Sequence, residues 1–242
     1  MTQAGPQIGF DRFIHRDWVS AALRVRSGLC GMHELNELIE SSHSGDAAKK
    51  KTRTVLNRLW LEPRPELVDF ADRGVRLYRE APDTSVAVLG WGMAIATYPF
   101  FGRVAEIVGR LTALQGDCAS AEVHRRMSEI FGEREGTRRM TNMVLQSQAS
   151  WGAIERSKNG KRLVRKPKVV VGGHLTTAWL VEACLRYSRR PVQLAAIEFL
   201  PVIFPFKIND QVTQAISKCP ALELRTEGQN KQIIDLQLKC VF

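Results

Sequence analysis

The stretch TRRMTNMVLQSQASWGAIERSKNGKRLVRKPK, Thr137–Lys168, decides how the chain is read. Met140, Met143, Val144, Ser147 and Trp151 recur at helical spacing and predict a helix with one buried stripe. Arg139, Asn142 and Gln146 fall together on another face, open to solvent or a ligand. After Trp151 the period shortens. Ala153-Ile154 and Leu163-Val164 read as short strands, and Lys158-Asn159-Gly160-Lys161 is the turn between them, where Asn-Gly tolerates positive φ. A helix with exposed Arg, Asn and Gln, followed by a basic hairpin, has the outline of a winged helix.

Charge concentrates in the same stretch. Arg138, Arg139, Arg156, Lys158, Lys161, Arg162, Arg165, Lys166 and Lys168 face one anion, Glu155, a local net of +8 within a whole-chain net of +10. The rest of the chain is nearly balanced, so the basicity is local, as a polyanion-binding surface requires. A solvated basic loop kept for solubility is the alternative.

The totals set bounds. The 242 residues suffice for one large domain or two small ones, and 44% hydrophobic with 25% charged content is that of a globular chain. An aromatic content of 7% argues mildly against a base-stacking platform for single strands. The cysteines, Cys30, Cys118, Cys184, Cys219 and Cys240, are scattered and odd in number, which points to reduced thiols and a cytoplasmic setting. MTQAGPQIGFDRF lacks the apolar core of a signal peptide. Thr84–Gly102 runs nineteen residues without a charge, long enough to span a membrane. Gly90, Gly92, Thr97, Pro99 and Gly102 dilute it, and the expectation is a buried central helix with no membrane insertion.

Elsewhere the pattern is helical. Helices are expected over Phe13–Arg26, over Met32–Glu40, and over Ala47–Leu61 with Asp46 as N-cap. The last carries Lys49, Lys50, Lys51, Arg53 and Arg58 around Val55, Leu56 and Leu59, a second and smaller basic patch. Pro65 opens a helix through Tyr78, and another follows Pro99-Phe100-Phe101 to about Leu114. Ser120 opens a helix to Phe131 that Gly132 ends, and Gly136 precedes the Thr137 helix, which gives the order of a winged helix-turn-helix. Val169–Val171 is a further short strand, Leu175–Tyr187 a helix, and ALELRTEGQNKQIIDLQ a terminal hairpin. The division implied is an N-terminal helical bundle over 1–116, a helix-turn-helix with basic wing over 117–171, and C-terminal helices with a hairpin over 172–242.

Catalytic signatures are missing. The chain has no GxxxxGK[ST], GxGxxG after a strand, HExxH or GxSxG, and His15, His33, His43, His124 and His174 are dispersed. The His33, Glu34 and Glu37 group and the Asp11, His15 and Asp17 group read as solvated helix charge. No catalysis, metal or cofactor is expected.

One resemblance adds to this reading. Trp91, Tyr98, Phe100 and Ala105 (W-x6-Y-x-F-x4-A), the HRDW of His15–Trp18, the helix KKKTRTVLNRL and the Thr137 region fall in one order. In that order the chain resembles the BrxA family of bacterial BREX phage-defence systems over roughly residues 10–205. The resemblance implies a helical fold similar to the NusB antitermination factor. It also implies binding of double-stranded DNA without catalysis, beside a methyltransferase, an ATPase and other BREX proteins. Phe100-Phe101-Gly102 departs from the more basic stretch expected there, and the hairpin after Phe206 is an extension.

The combined expectation is a mainly α protein, a NusB-like helical bundle with a winged-helix-like basic hairpin and a C-terminal β-hairpin. Its interface would comprise Lys49, Lys50, Lys51, Arg53, Arg138, Arg139, Asn142, Gln146, Arg156, Lys158, Lys161, Arg162, Arg165, Lys166 and Lys168. About six phosphate contacts would give a slope of log K on log salt of roughly −5. A sequence-specific winged-helix regulator and a scaffold docking an acidic partner are the alternatives.

Overall fold

A computed structural model describes residues 9–42, 44–80, 86–208, 212–227 and 231–237. The uncharged run breaks at Tyr98. Numbered in chain order, helix α5 (Val86–Thr97) ends there and α6 (Pro99–Leu111) begins with Pro99 at its first position, where a missing N–H forfeits no helical bond. Only Val86 and Ala96 of α5 keep partial exposure, as a helix apolar on every side demands. Among the described residues no helix is long and apolar enough to cross a membrane.

Around this pair lie α1 (Arg16–Arg26), α2 (Met32–Ser42), α3 (Asp46–Leu56) and α4 (Val68–Glu80). A π-type turn, Asn57–Leu61, prolongs α3, and a 3-10 turn, Pro65–Leu67, leads into α4. Gly45, not Asp46, is the N-cap of α3: Asp46 already lies in the first turn, where its carboxylate faces the positive end of the helix dipole. Next come β1 (Asp117–Ala119), α7 (Ser120–Phe131), α8 (Glu135–Ser150), β2 (Ile154–Arg156), β3 (Arg162–Arg165) and β4 (Val169–Val170). The chain continues through α9 (His174–Ser188), β5 (Val192–Gln193), 3-10 turns over Leu194–Phe199 and Pro201–Ile203, and β6 (Phe206–Lys207). It closes with α10 (Val212–Ser217), β7 (Leu222–Glu227) and β8 (Lys231–Leu236).

The architecture is mainly helical with three small sheets. Strands β1, β3 and β2 form an antiparallel sheet in that order, β4 pairs in parallel with β6, and β5, β8 and β7 form an antiparallel sheet. The C-terminal hairpin is present as β7 and β8, while residues 228–230 of its turn lie outside the described residues, as do His43 and Cys240. The stretches 1–116, 117–171 and 172–242 contribute to one hydrophobic cluster, from Phe10 through Trp91, Val144 and Trp179 to Ile234.

Three indoles tie distant segments together. The Nε1 atoms of Trp91, Trp151 and Trp179 donate to the carbonyls of Val202, Ile14 and Phe70, each at 2.9 Å. Each ring thus buries its apolar body without orphaning its one donor. Trp179 stacks on Phe70 at 4.4 Å, and Trp91 meets Phe101, Phe204 and Phe206 edge-on. Trp91, Tyr98, Phe100 and Ala105 are all buried, so the spacing W-x6-Y-x-F-x4-A is a packing pattern. In HRDW, His15 caps α1 and Trp18 is buried. Fully buried Glu182 accepts from Arg73 at 2.7 Å and from Arg186 at 2.9 Å, the pairing a carboxylate needs away from water.

Candidate nucleic-acid interface

Helix α8 is held on one side and open on the other. Ser147 Oγ accepts from the Ile14 N–H at 2.8 Å and Ser150 Oγ from the Arg16 N–H at 3.1 Å, fastening α8 to the start of α1. Its buried residues are Thr137, Thr141, Val144, Leu145, Ser147 and Gln148. Met140 and Met143, expected in the buried stripe, are only half-buried. Val144, Ser147 and Trp151 of the expected stripe are buried, and it is completed by Thr137, Thr141 and Gln148, which a search for apolar residues passes over. On the open side Arg138 and Arg139 are exposed, and Asn142 and Gln146 are half-buried.

The hairpin follows at once. Leu163 and Ile154 point into the core while Glu155, Arg162 and Val164 are exposed, the alternation of a half-buried sheet. The connection is a turn in which the Gly160 N–H donates to the Ser157 carbonyl at 2.7 Å, with Gly160 at φ 68°. Gly160 alone takes the positive φ, so the turn is of type I with a following left-handed glycine rather than an Asn-Gly primed turn. Asn159 instead uses its side chain, Oδ1 accepting from Ser157 Oγ at 2.8 Å and the Lys161 N–H at 3.0 Å.

Strand β1 was not anticipated, and it braces the β2–β3 hairpin. Ser120, which opens α7 as expected, donates from Oγ to the Gly160 carbonyl at 2.8 Å, and its N–H donates to Lys161 O at 2.8 Å; Ala119 is the N-cap. Gly136, read as preceding the Thr137 helix, lies in the first turn of α8.

The nine cations of this unit divide by partner. Arg162 donates to Asp117 at 2.8 Å, and Lys166 to Glu155 at 2.8 Å. Arg165 donates to the Phe204 carbonyl with its guanidinium 5.3 Å from the Phe204 ring, and burial lowers its pKa. Arg156 donates to Asn142 Oδ1 at 3.0 Å, joining the hairpin root to α8, and burial lowers its pKa too. Burial and then Arg165 lower that of Lys168. Arg138, Arg139, Lys158, Lys161 and Lys168 have no carboxylate within ion-pair reach among the described residues. Between α7 and α8, His124 is held below the usual imidazole range, first by burial and then by Arg138 and Arg156.

The second basic patch is largely neutralised. Lys49 is paired with Glu40 and Asp46, Arg53 donates to Glu40 at 2.8 Å, and Lys51 lies 3.7 Å from Asp11. Glu40 is accordingly held below the usual carboxylate range, first by Lys49 and then by Arg53. Lys50 is exposed with no carboxylate partner among the described residues. Among the described residues no group of three His, Cys, Asp or Glu is placed to hold a metal ion.

Comparisons place no other protein beside this geometry. No family model, curated protein or solved structure matches the chain. What the arrangement offers chemically is a rigid helix–hairpin unit presenting unpaired cations. Asp117, Ser120 and His124 belong to it and were missed, because pairing across 45 residues leaves no local signal.

Proposed function

We propose that the chain is a non-catalytic double-stranded DNA-binding protein that grips phosphates through α8 and the β2–β3 wing. The observation that carries this reading is the set Arg138, Arg139, Lys158, Lys161 and Lys168, without an ion pair among the described residues on a single braced unit, while Arg162 and Lys166 pair with carboxylates and Arg156 and Arg165 are held by neutral acceptors. The order α6, β1, α7, α8, β2, β3, with β3 central in its sheet, is that of a winged helix-turn-helix, which supports a helix-in-groove approach with the wing on the flanking backbone. Asn142 is engaged by Arg156 and Gln146 is half-buried, which favours phosphate contact over base readout. The α3 patch contributes Lys50 and Arg58, unless its ion pairs open.

The spacing shared with the BrxA family extends the reading to a BREX-type defence system, with a methyltransferase and an ATPase as neighbours. A mainly helical body is compatible with the NusB-like fold that this resemblance implies.

Fluorescence anisotropy on random-sequence duplex across a salt series tests the proposal. About five contacts give a slope of log K on log salt of roughly −4.5, and Lys158→Ala/Lys161→Ala lowers its magnitude by about 1.8. An unchanged slope in that variant removes the wing from the interface.

A further inference from the structure

A separate cleft of about 800 Å³ opens between the α6–α7 side of the molecule and the turn that follows α9. Five arginines line it: Arg64, Arg103, Arg110, Arg189 and Arg190. Glu106 is the one carboxylate among the described residues lining it, and its oxygens are already engaged. It accepts from Arg103 at 2.8 Å, from Tyr187 Oη at 2.8 Å and from Arg110. Arg64, Arg189 and Arg190 have no ion-pair partner among the described residues. The lining therefore keeps a net positive charge, with Glu66 and Asp235 the carboxylates of an adjoining cavity that Arg64 and Arg189 also line.

The cleft is a built feature of the fold. A Cβ on Gly102 would lie 2.3 Å from the Tyr187 ring, and one on Gly109 2.1 Å from the Pro201 carbonyl. These two glycines let α6 seat Tyr187 and the Pro201 turn, and Tyr187 in turn fixes Glu106. Burial, then Glu106, push the Tyr187 phenol up, so its hydroxyl stays a donor. Arg189 is the single non-glycine residue with positive φ among the described residues, at 52°, a conformation disfavoured for an L side chain. The lining is also apolar in part: Ile130, 46% exposed, with Phe131, Leu200 and Pro201.

We infer that this cleft binds a nucleotide, its phosphates on Arg64, Arg189 and Arg190 and its base against Ile130, Phe131 and Leu200. Guanidinium forks suit phosphate oxygens bidentately, and the volume lies in the range of small-ligand sites, much larger than free phosphate needs. The inference is independent of the duplex-binding reading, because none of its residues belongs to the wing.

The test titrates the full chain with the fluorescent analogue mant-ATP and follows anisotropy. Saturable binding is expected, weakened about 100-fold in Arg64→Ala/Arg190→Ala, on the order of tenfold per guanidinium. Ile130→Glu, which sets an anion in the apolar part of the lining, is expected to weaken it as well, with melting curves confirming that both variants fold. Lys158→Ala/Lys161→Ala leaves mant-ATP binding unchanged, and Arg64→Ala/Arg190→Ala leaves duplex binding unchanged without nucleotide. Tripolyphosphate competes more weakly than ATP if the apolar wall holds the base; equal competition overturns the nucleotide assignment. No saturation up to about 1 mM, or loss of mant-ATP binding in the wing variant, overturns the site altogether.

Discussion

His124 lies where α7 meets α8, under the combined field of Arg138 and Arg156, and its Nδ1 is buried without a hydrogen-bond partner among the described residues. Its pKa in the fold is below the ordinary 6.5, so the unfolded chain takes up the proton more readily than the native one. Its contribution is therefore complete above pH 6.5 and lost as pH falls through the depressed folded value. The melting temperature is expected to decline from about pH 7 to pH 5.5, and His124→Gln to flatten that decline. Equal slopes in both proteins would remove His124 as the source. Glu182 sets a different problem, a buried carboxylate balanced by Arg73 and Arg186. Glu182→Gln strips the countercharge from both arginines and is expected to cost about 3 kcal/mol in urea unfolding. A loss under about 1 kcal/mol would class the trio with surface pairs.

At the scale of elements, the hairpin's salt dependence is the property to measure, since Lys158 and Lys161 have no ion-pair partner among the described residues. The change of period after Trp151 made this hairpin legible, because helix and strand repeats differ and each buries Val144, Ile154 or Leu163 by its own rule. Helices over Pro99–Leu111 and Ser120–Phe131 were legible for the same reason, with proline and glycine marking their ends. Strand β1 was not. Three residues, Asp117–Ala119, carry no alternation, and they become a strand only because Leu163 and Arg162 come to lie beside them. The division of cations into paired and unpaired was equally hidden. Arg162 looks as free as Lys161 until the fold brings Asp117 to it. The α3 patch lost most of its apparent charge in the same way, to Glu40 and Asp11.

Across the whole molecule, composition and apolar pattern announced a helical body with a buried uncharged run at its centre. The arginine cleft was illegible, since Arg64, Arg103 and Arg190 are far apart in sequence and each alone is an ordinary surface cation. One short segment serves both proposed sites. Pro201 and Val202 wall the cleft, Phe204 holds Arg165 at the base of the β2–β3 hairpin, and β6 pairs with β4 just beyond it. A ligand seated on either side thus leans on the same turn, and thermodynamic reciprocity binds the two affinities together. If ATP shifts the affinity for duplex by some factor, duplex must shift the affinity for ATP by the same factor. Crossed titrations measure both, and a factor of one in each direction would mean that the shared turn is too stiff to carry a message.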